Sequence, residues 1–253
     1  MLFRSILSVD GDGRATGRLH VGTVAAAFRP RASGGMVVAI ERGFALIESD
    51  GRFVSLGELW SDPGIRMNEG GCDPDGRFYC GSMGYDMGPE LGTVYRLGAD
   101  GTVTTVIERV TCSNGLAWSP DHHVAYYADS PTQRVDAFDY DPARGLTGRR
   151  PVVEIPAELG MPDGLTVDSE GCLWVAIWGG SAVHRYRPDG RLDGVVELPV
   201  QQITAATFGG PDLAELYVTT SREHVADGTQ PEAGAVFRYR PGVTGLAVLP
   251  FAG

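Results

Sequence analysis

The chain repeats itself, and that repeat limits what it can fold into more than any other feature. A turn of Asp, Pro and Gly character, followed by a short hydrophobic or aromatic strand, recurs along the sequence. It runs from Ala32-Ser33-Gly34-Gly35 into Met36-Val37-Val38-Ala39-Ile40, and from Asp73-Pro74-Asp75-Gly76 into Arg77-Phe78-Tyr79-Cys80. It returns as Ser119-Pro120-Asp121 before Val124-Ala125-Tyr126-Tyr127, as Asp168-Ser169-Glu170-Gly171 before Cys172-Leu173-Trp174-Val175, and as Gly210-Pro211-Asp212 before Leu216-Tyr217-Val218. The units begin about every 40–50 residues, a period that propeller architectures use. A second strand motif follows: Gly92-Thr93-Val94-Tyr95-Arg96-Leu97, Ala182-Val183-His184-Arg185-Tyr186 and Ala235-Val236-Phe237-Arg238-Tyr239. The Asp100-Gly101 and Asp189-Gly190 turns after the first two of these join antiparallel strands. Helical periodicity of useful length is absent. Equal spacing is explained by radial repetition, so a propeller is favoured over a sandwich.

The expectation is therefore an all-β, six-bladed β-propeller, with residues 1–253 as a single domain. Five full repeats are visible, and the roughly thirty residues before them suffice for part of a sixth, so the first blade is expected to be truncated at its N-terminus. No stretch is long and apolar enough to cross a membrane, and the opening Met1–Ser8 is too soon interrupted by Asp10 to serve as a secretion signal. The net charge of −11, with no basic stripe, excludes a nucleic-acid partner. Cys72, Cys80, Cys112 and Cys172 lack C-x-x-C spacing and read as buried free thiols in a reducing compartment, so the protein is placed in the cytoplasm. Asp10-Gly11-Asp12-Gly13 lacks the ligand pattern of a calcium loop and reads as a turn. His20, His122, His123, His184 and His224 show no paired metal spacing and read as surface or turn residues.

In a propeller, equivalent positions of successive blades form a ring about the axis. The residue five places before each turn is Asn68, Asn114, Asp163 and, with the last repeat phased on Gly209, Thr204. All four bear side-chain oxygen. Alone, Asn114-Gly115 and Asp163-Gly164 would be ordinary turn dipeptides; their common phase favours an oxygen-ligand site for a hard cation such as Ca²⁺, Mg²⁺ or Mn²⁺, with Zn²⁺ also open.

The motifs Arg66-Met67-Asn68-Glu69-Gly70, Gly81-Ser82-Met83, Ser113-Asn114-Gly115-Leu116-Ala117-Trp118, Tyr127-Ala128-Asp129-Ser130, Pro162-Asp163-Gly164-Leu165 and Leu173-Trp174-Val175-Ala176 resemble the regucalcin/gluconolactonase/luciferin-regenerating-enzyme family. The ending, Phe208-Gly209-Gly210, Leu216-Tyr217-Val218-Thr219-Thr220 and Gly234-Ala235-Val236-Phe237, fits too, so the likeness covers about residues 20–253. The resemblance implies a six-bladed propeller with one divalent metal on its axis, held by an N-terminal Glu together with Asn114 and Asp163. It implies substrate contacts at Arg66, Asn68 and Asp86 and hydrolysis of a small-molecule sugar lactone, with Asp163 as the catalytic residue. Glu69 stands where the family commonly has Asp, and Gly71 where it often has Lys. The family's Gly-Glu-Gly-Pro-type start, which carries the first metal ligand, has no counterpart before Glu41. Such a segment is expected in frame upstream of Met1. The competing expectations are a non-catalytic calcium-binding propeller and a scaffold whose metal site is incomplete.

Overall fold

The computed structural model describes residues 4–253, and these form strands, turns and two short 3₁₀ segments, Ser130–Thr132 and Ala157–Leu159. Two compact units divide the chain: Met1–Ser113 with Val248–Gly253, and Asn114–Ala247.

In the first unit, β1 (Ser5–Val9) and β2 (Ala15–His20) pair as a two-stranded ribbon. Its turn is closed by Asp10, whose Oδ1 accepts from the backbone N–H of Asp12 and Arg14, as the turn reading of Asp10–Gly13 expected. A four-stranded antiparallel sheet follows: β3 (Ala25–Pro30), β4 (Met36–Ile40), β5 (Gly43–Ile47) and β6 (Phe53–Glu58). A second comprises β7 (Ile65–Cys72), β8 (Phe78–Gly84), β9 (Gly92–Leu97) and β10 (Val103–Val110). Val37, Ala39, Phe44, Met67, Phe78, Cys80 and Leu97 form the core of this unit. The C-terminal segment completes it: Phe251 is buried, its N–H donates to Pro30 O, and its carbonyl accepts from Ala32 N–H.

The second unit holds β11 (Ser113–Trp118), β12 (Val124–Asp129), β13 (Arg134–Asp141) and β14 (Gly145–Glu154) in one sheet. Next come β15 (Met161–Val167), β16 (Leu173–Trp178), β17 (Ala182–Tyr186) and β18 (Leu192–Glu197), and then a three-stranded sheet of β19 (Ile203–Gly209), β20 (Glu215–Thr220) and β21 (Val236–Tyr239). Leu173, Val175 and Ile177 of β16 point into one buried cluster, while Trp174 and Ala176 point into the other, so this strand is apolar on both faces. Each fully buried Leu, Ile or Phe contributes about 1.5–3 kcal/mol.

The strand-turn motifs legible in the sequence fall in β4, β8, β12, β16 and β20, the second strand of each sheet. The Asp-Gly turns lie where predicted: Gly190 takes a φ of +85° between β17 and β18, a conformation that glycine adopts without steric cost. The fold is an all-β propeller, but the blade count differs from the expected six: five sheets of three or four strands and the β1–β2 ribbon. The free cysteines are buried, as expected. His184 is not a surface residue: it is buried in β17 with Nδ1 2.8 Å from Tyr186 Oη, and burial lowers its pKa.

Candidate functional site

Of the polar residues found by phase, Asn68, Asp163 and Thr204 sit in the first strand of their sheets at breaks in strand register, and Asn114 lies in the first strand β11. Along β7 and β8 the pairing passes from Met67–Ser82 to Gly70–Cys80, so Asn68 and Glu69 together oppose Gly81. Along β15 and β16 it passes from Pro162–Ile177 to Leu165–Val175, so Asp163 and Gly164 together oppose Ala176. Thr204 lies at the corresponding shift in β19. Such bulges leave residues out of the ladder and re-aim their side chains. The β3 bulge carries Ala26, which the same phase, counted back from Arg31, would have found.

Within the second unit, the glycines after Asn114 and Asp163 let neighbouring first strands touch. A Cβ on Gly115 would lie 2.9 Å from Asp163 O and 2.7 Å from Leu165 N; one on Gly164 would lie 2.9 Å from Thr204 O. Neither glycine has a positive φ. The Asn-Gly and Asp-Gly pairs are therefore strand residues selected for close backbone approach, and the turn alternative does not hold. Asn114 is buried and its Nδ2 donates to Ser130 Oγ at 2.6 Å. With the nitrogen turned to Ser130, the carbonyl oxygen is the donor that Asn114 can present to a cation. An amide oxygen and the half-buried Asp163 carboxylate are hard ligands, so this pair fits a Ca²⁺- or Mg²⁺-type ion chemically.

In the first unit, Arg66 Nη1 donates to Asn68 Oδ1 at 2.7 Å and to Met67 O at 3.0 Å. Asn68 Nδ2 donates to Ser113 O at 2.8 Å. Among the described residues Arg66 makes no ion pair; its guanidinium carbon lies 5.7 Å from the centroid of the Tyr85 ring. The Arg66 guanidinium is thus held by an amide and an aromatic face. Asp86 is exposed, with Oδ1 accepting from Gly88 N–H at 2.9 Å, and among the described residues its hydrogen bonds do not reach Arg66 or Asn68.

Glu69 is half-buried beside Asn68. Loss of solvent pushes its pKa up to about 7, with the Arg29 charge opposing the shift. The folded protein therefore holds this proton between about pH 4.5 and 7, where the unfolded chain has released it, so stability falls as pH rises through that window. Glu69→Gln is expected to match wild type at pH 4.5 and to gain about 2 kcal/mol at pH 8, allowing for remaining solvent contact. Urea unfolding at both values checks this; an offset that is the same at pH 4.5 and pH 8 would rule it out.

Asp168, Glu170 and Cys172 also bring potential ligand atoms within 4.8 Å of one another. The carboxylate of Asp168 is already committed. Its Oδ1 accepts from the N–H of Glu170 and Cys172, and its Oδ2 accepts from Trp174 Nε1 and from Arg185 Nε and Nη2. This donor set does not fit a cation: Asp168 is fully buried and serves the turn between β15 and β16.

Together these features define an all-β propeller in which three first strands carry oxygen-bearing side chains, those of Asn68, Asp163 and Thr204, at bulges. The chain matches the family described as SMP-30/Gluconolactonase/LRE-like region over residues 1–222. It belongs to that family. It is 41% identical over 227 residues to regucalcin from Danio rerio, spanning 87% of this chain and 76% of the relative. Among solved structures it is similar to a calcium-binding protein, regucalcin, from Agrobacterium tumefaciens, with a TM-score of 0.91 and 28% identity over 99% of this chain and 86% of that one. It is also similar to a luciferin-regenerating enzyme, with a TM-score of 0.87 and 32% identity over 96% and 86% of the two chains.

Proposed function

We propose that this protein is a metal-dependent hydrolase that opens sugar lactones, in the manner of a gluconolactonase, acting in the cytoplasm. The observation that carries the reading is the shared bulge position of Asn68 and Asp163, which takes functional side chains out of the strand ladder at one phase of the repeat. Family membership supports the reaction class. The six-bladed form belongs to the same proposal, with the β1–β2 ribbon as part of its sixth blade.

Asn114 and Asp163 would hold the divalent ion. Such an ion polarises a carbonyl and lowers the pKa of a bound water. Asp163 accepts the proton of the water that attacks the lactone carbon. The ring C–O bond then breaks, and the leaving oxygen takes up a proton to give the hydroxy acid. Arg66 and Asn68 donate hydrogen bonds to sugar hydroxyls and to the developing oxyanion. Asp86 accepts from further hydroxyls of the sugar.

A second reading, a calcium-binding protein without turnover, is favoured by the hard oxygen donors of Asn114 and Asp163. One experiment separates the readings. The protein is stripped with EDTA, titrated calorimetrically with Ca²⁺, Mg²⁺, Mn²⁺ and Zn²⁺, and assayed for acid release from glucono-lactone above the spontaneous rate. Binding of one ion with restored turnover is expected. Binding without turnover would leave the second reading, and neither would leave a scaffold.

A further inference from the structure

The Arg66 guanidinium is placed by groups that the sequence did not single out. Tyr85, just after β8, lies under it, with the guanidinium carbon 5.7 Å from the ring centroid. The residue is tied at its backbone and at its hydroxyl. Tyr85 N–H donates to Gly64 O at 2.9 Å, and its hydroxyl donates to Glu41 Oε1 at 2.7 Å. Glu41 lies in the turn between β4 and β5, and its other oxygen accepts from Thr23 Oγ1 at 2.7 Å. Arg42 Nη1 stands 3.7 Å from that same oxygen. The bond from Tyr85, then that from Thr23, hold the Glu41 carboxyl below its ordinary pKa. Burial and the same Glu41 bond push the Tyr85 phenol up to about 12. The phenol therefore remains a donor, and the carboxylate an acceptor, across the neutral range.

Tyr85 is 38% exposed, so packing alone does not explain an aromatic residue pinned in this way. A cation over an aromatic face is attracted by the ring quadrupole, and more strongly where water is partly excluded. The Arg66 side chain is thereby fixed in direction, and among the described residues no carboxylate pairs with it. Guanidinium groups held like this lose less rotamer freedom when they meet an acceptor.

We propose that Tyr85, clamped by Glu41, is a positioning residue that holds Arg66 ready for the sugar, and that Glu41 acts only through Tyr85. The proposal rests on the lactonase reading for its kinetic consequence, but not for its structural one. It predicts a coupling pattern. Tyr85→Phe keeps the ring and loses the bond to Glu41, while Glu41→Leu loses the same bond from the other side. Each should raise KM for the lactone about three- to fivefold, with kcat within about twofold, and the double variant should be no worse than either single one. Glu41→Gln retains an acceptor for the phenol and should restore most of the loss. A merely structural contact would lower thermal stability without splitting KM from kcat, and additive effects in the double variant would overturn the proposal. A second measurement needs no turnover: the ¹⁵N relaxation of the Arg66 Nε–Hε group. This group should be ordered in the wild type and in Glu41→Gln, and mobile in Tyr85→Phe and Glu41→Leu. Equal mobility in all four proteins would overturn the positioning role. Absence of lactone hydrolysis in the wild type would instead overturn the functional reading, with the relaxation data still deciding this one.

Discussion

Asp168→Ala is expected to destabilise the protein by about 3–5 kcal/mol, among the largest effects of any single substitution in the chain. Its side chain is fully buried. Five donors converge on its two oxygens: the N–H groups of Glu170 and Cys172, the indole of Trp174, and two nitrogens of Arg185. Removing the carboxylate leaves two turn amides and an indole N–H without an acceptor, each costing about 1–3 kcal/mol where water cannot replace the partner. Arg185 retains Glu170 at 2.6 Å and also pairs with Asp193, which keeps the loss short of a wholly stranded charge. Thermal unfolding should show a drop of about 10 °C, the shift such a loss gives in a chain of this size. A drop below about 2 °C would mean that solvent enters the turn and repairs it. Asp168→Ala should also leave divalent-ion affinity of the folded protein unchanged, which separates this carboxylate from the Asn114 and Asp163 pair.

Asp73 makes a related staple in the first unit. Its Oδ1 accepts from the N–H of Asp75 and Arg77, and its Oδ2 from Arg77 Nε. These aspartates made two of the five turns legible in the sequence; in the β11–β12 turn Ser119 stands in the same place, its Oγ accepting from Val124 N–H. The second strands were legible as well. They are buried, so Phe78-Tyr79-Cys80 and Leu173-Trp174-Val175 read as unbroken apolar runs. The outer strands were not. β14 runs Gly-Leu-Thr-Gly-Arg-Arg-Pro-Val-Val-Glu with most of its residues exposed, and it is held by pairing to β13, which leaves no periodic trace. β1 and β2 are exposed in the same way.

The candidate site was legible by position but not by mechanism of display. Counting five residues back from a turn reaches Asn68, Asp163 and Thr204 because the bulge falls at a constant distance from that turn, although the bulge itself depends on the partner strand. Gly115 and Gly164 misled in the other direction. Their dipeptides belong to turns in isolation, and only the neighbouring first strand reveals that a Cβ would not fit. The Glu41–Tyr85 bond joins residues 44 positions apart, at the ends of two different sheets. No local pattern announces a contact of that kind.

Asp163→Ala is expected to reduce kcat/KM for the lactone by about 10³-fold or more, since a positioned general base contributes about 10²–10⁴-fold and this residue is also proposed as a metal ligand. The two roles can be separated. Asp163→Asn keeps an oxygen donor but cannot take a proton from water. It should therefore retain part of the ion affinity while losing turnover about as fully as Asp163→Ala. The alanine variant should lose both, with ion affinity down about 10- to 100-fold or more. Neither should cost the protein much stability. Asp163 is half-buried and lies at a bulge outside the β15–β16 ladder, so neither substitution removes a ladder hydrogen bond. Removing a carboxylate displayed in this way is often neutral or stabilising, the trade expected where a side chain is kept for activity. Calorimetric ion titration, thermal unfolding and lactone assays on the three proteins give a pattern that a structural role cannot imitate: unchanged folding, graded ion affinity and lost turnover. Wild-type turnover in Asp163→Ala would remove this residue from the reaction, and unchanged ion affinity in the same variant would remove it from the metal site.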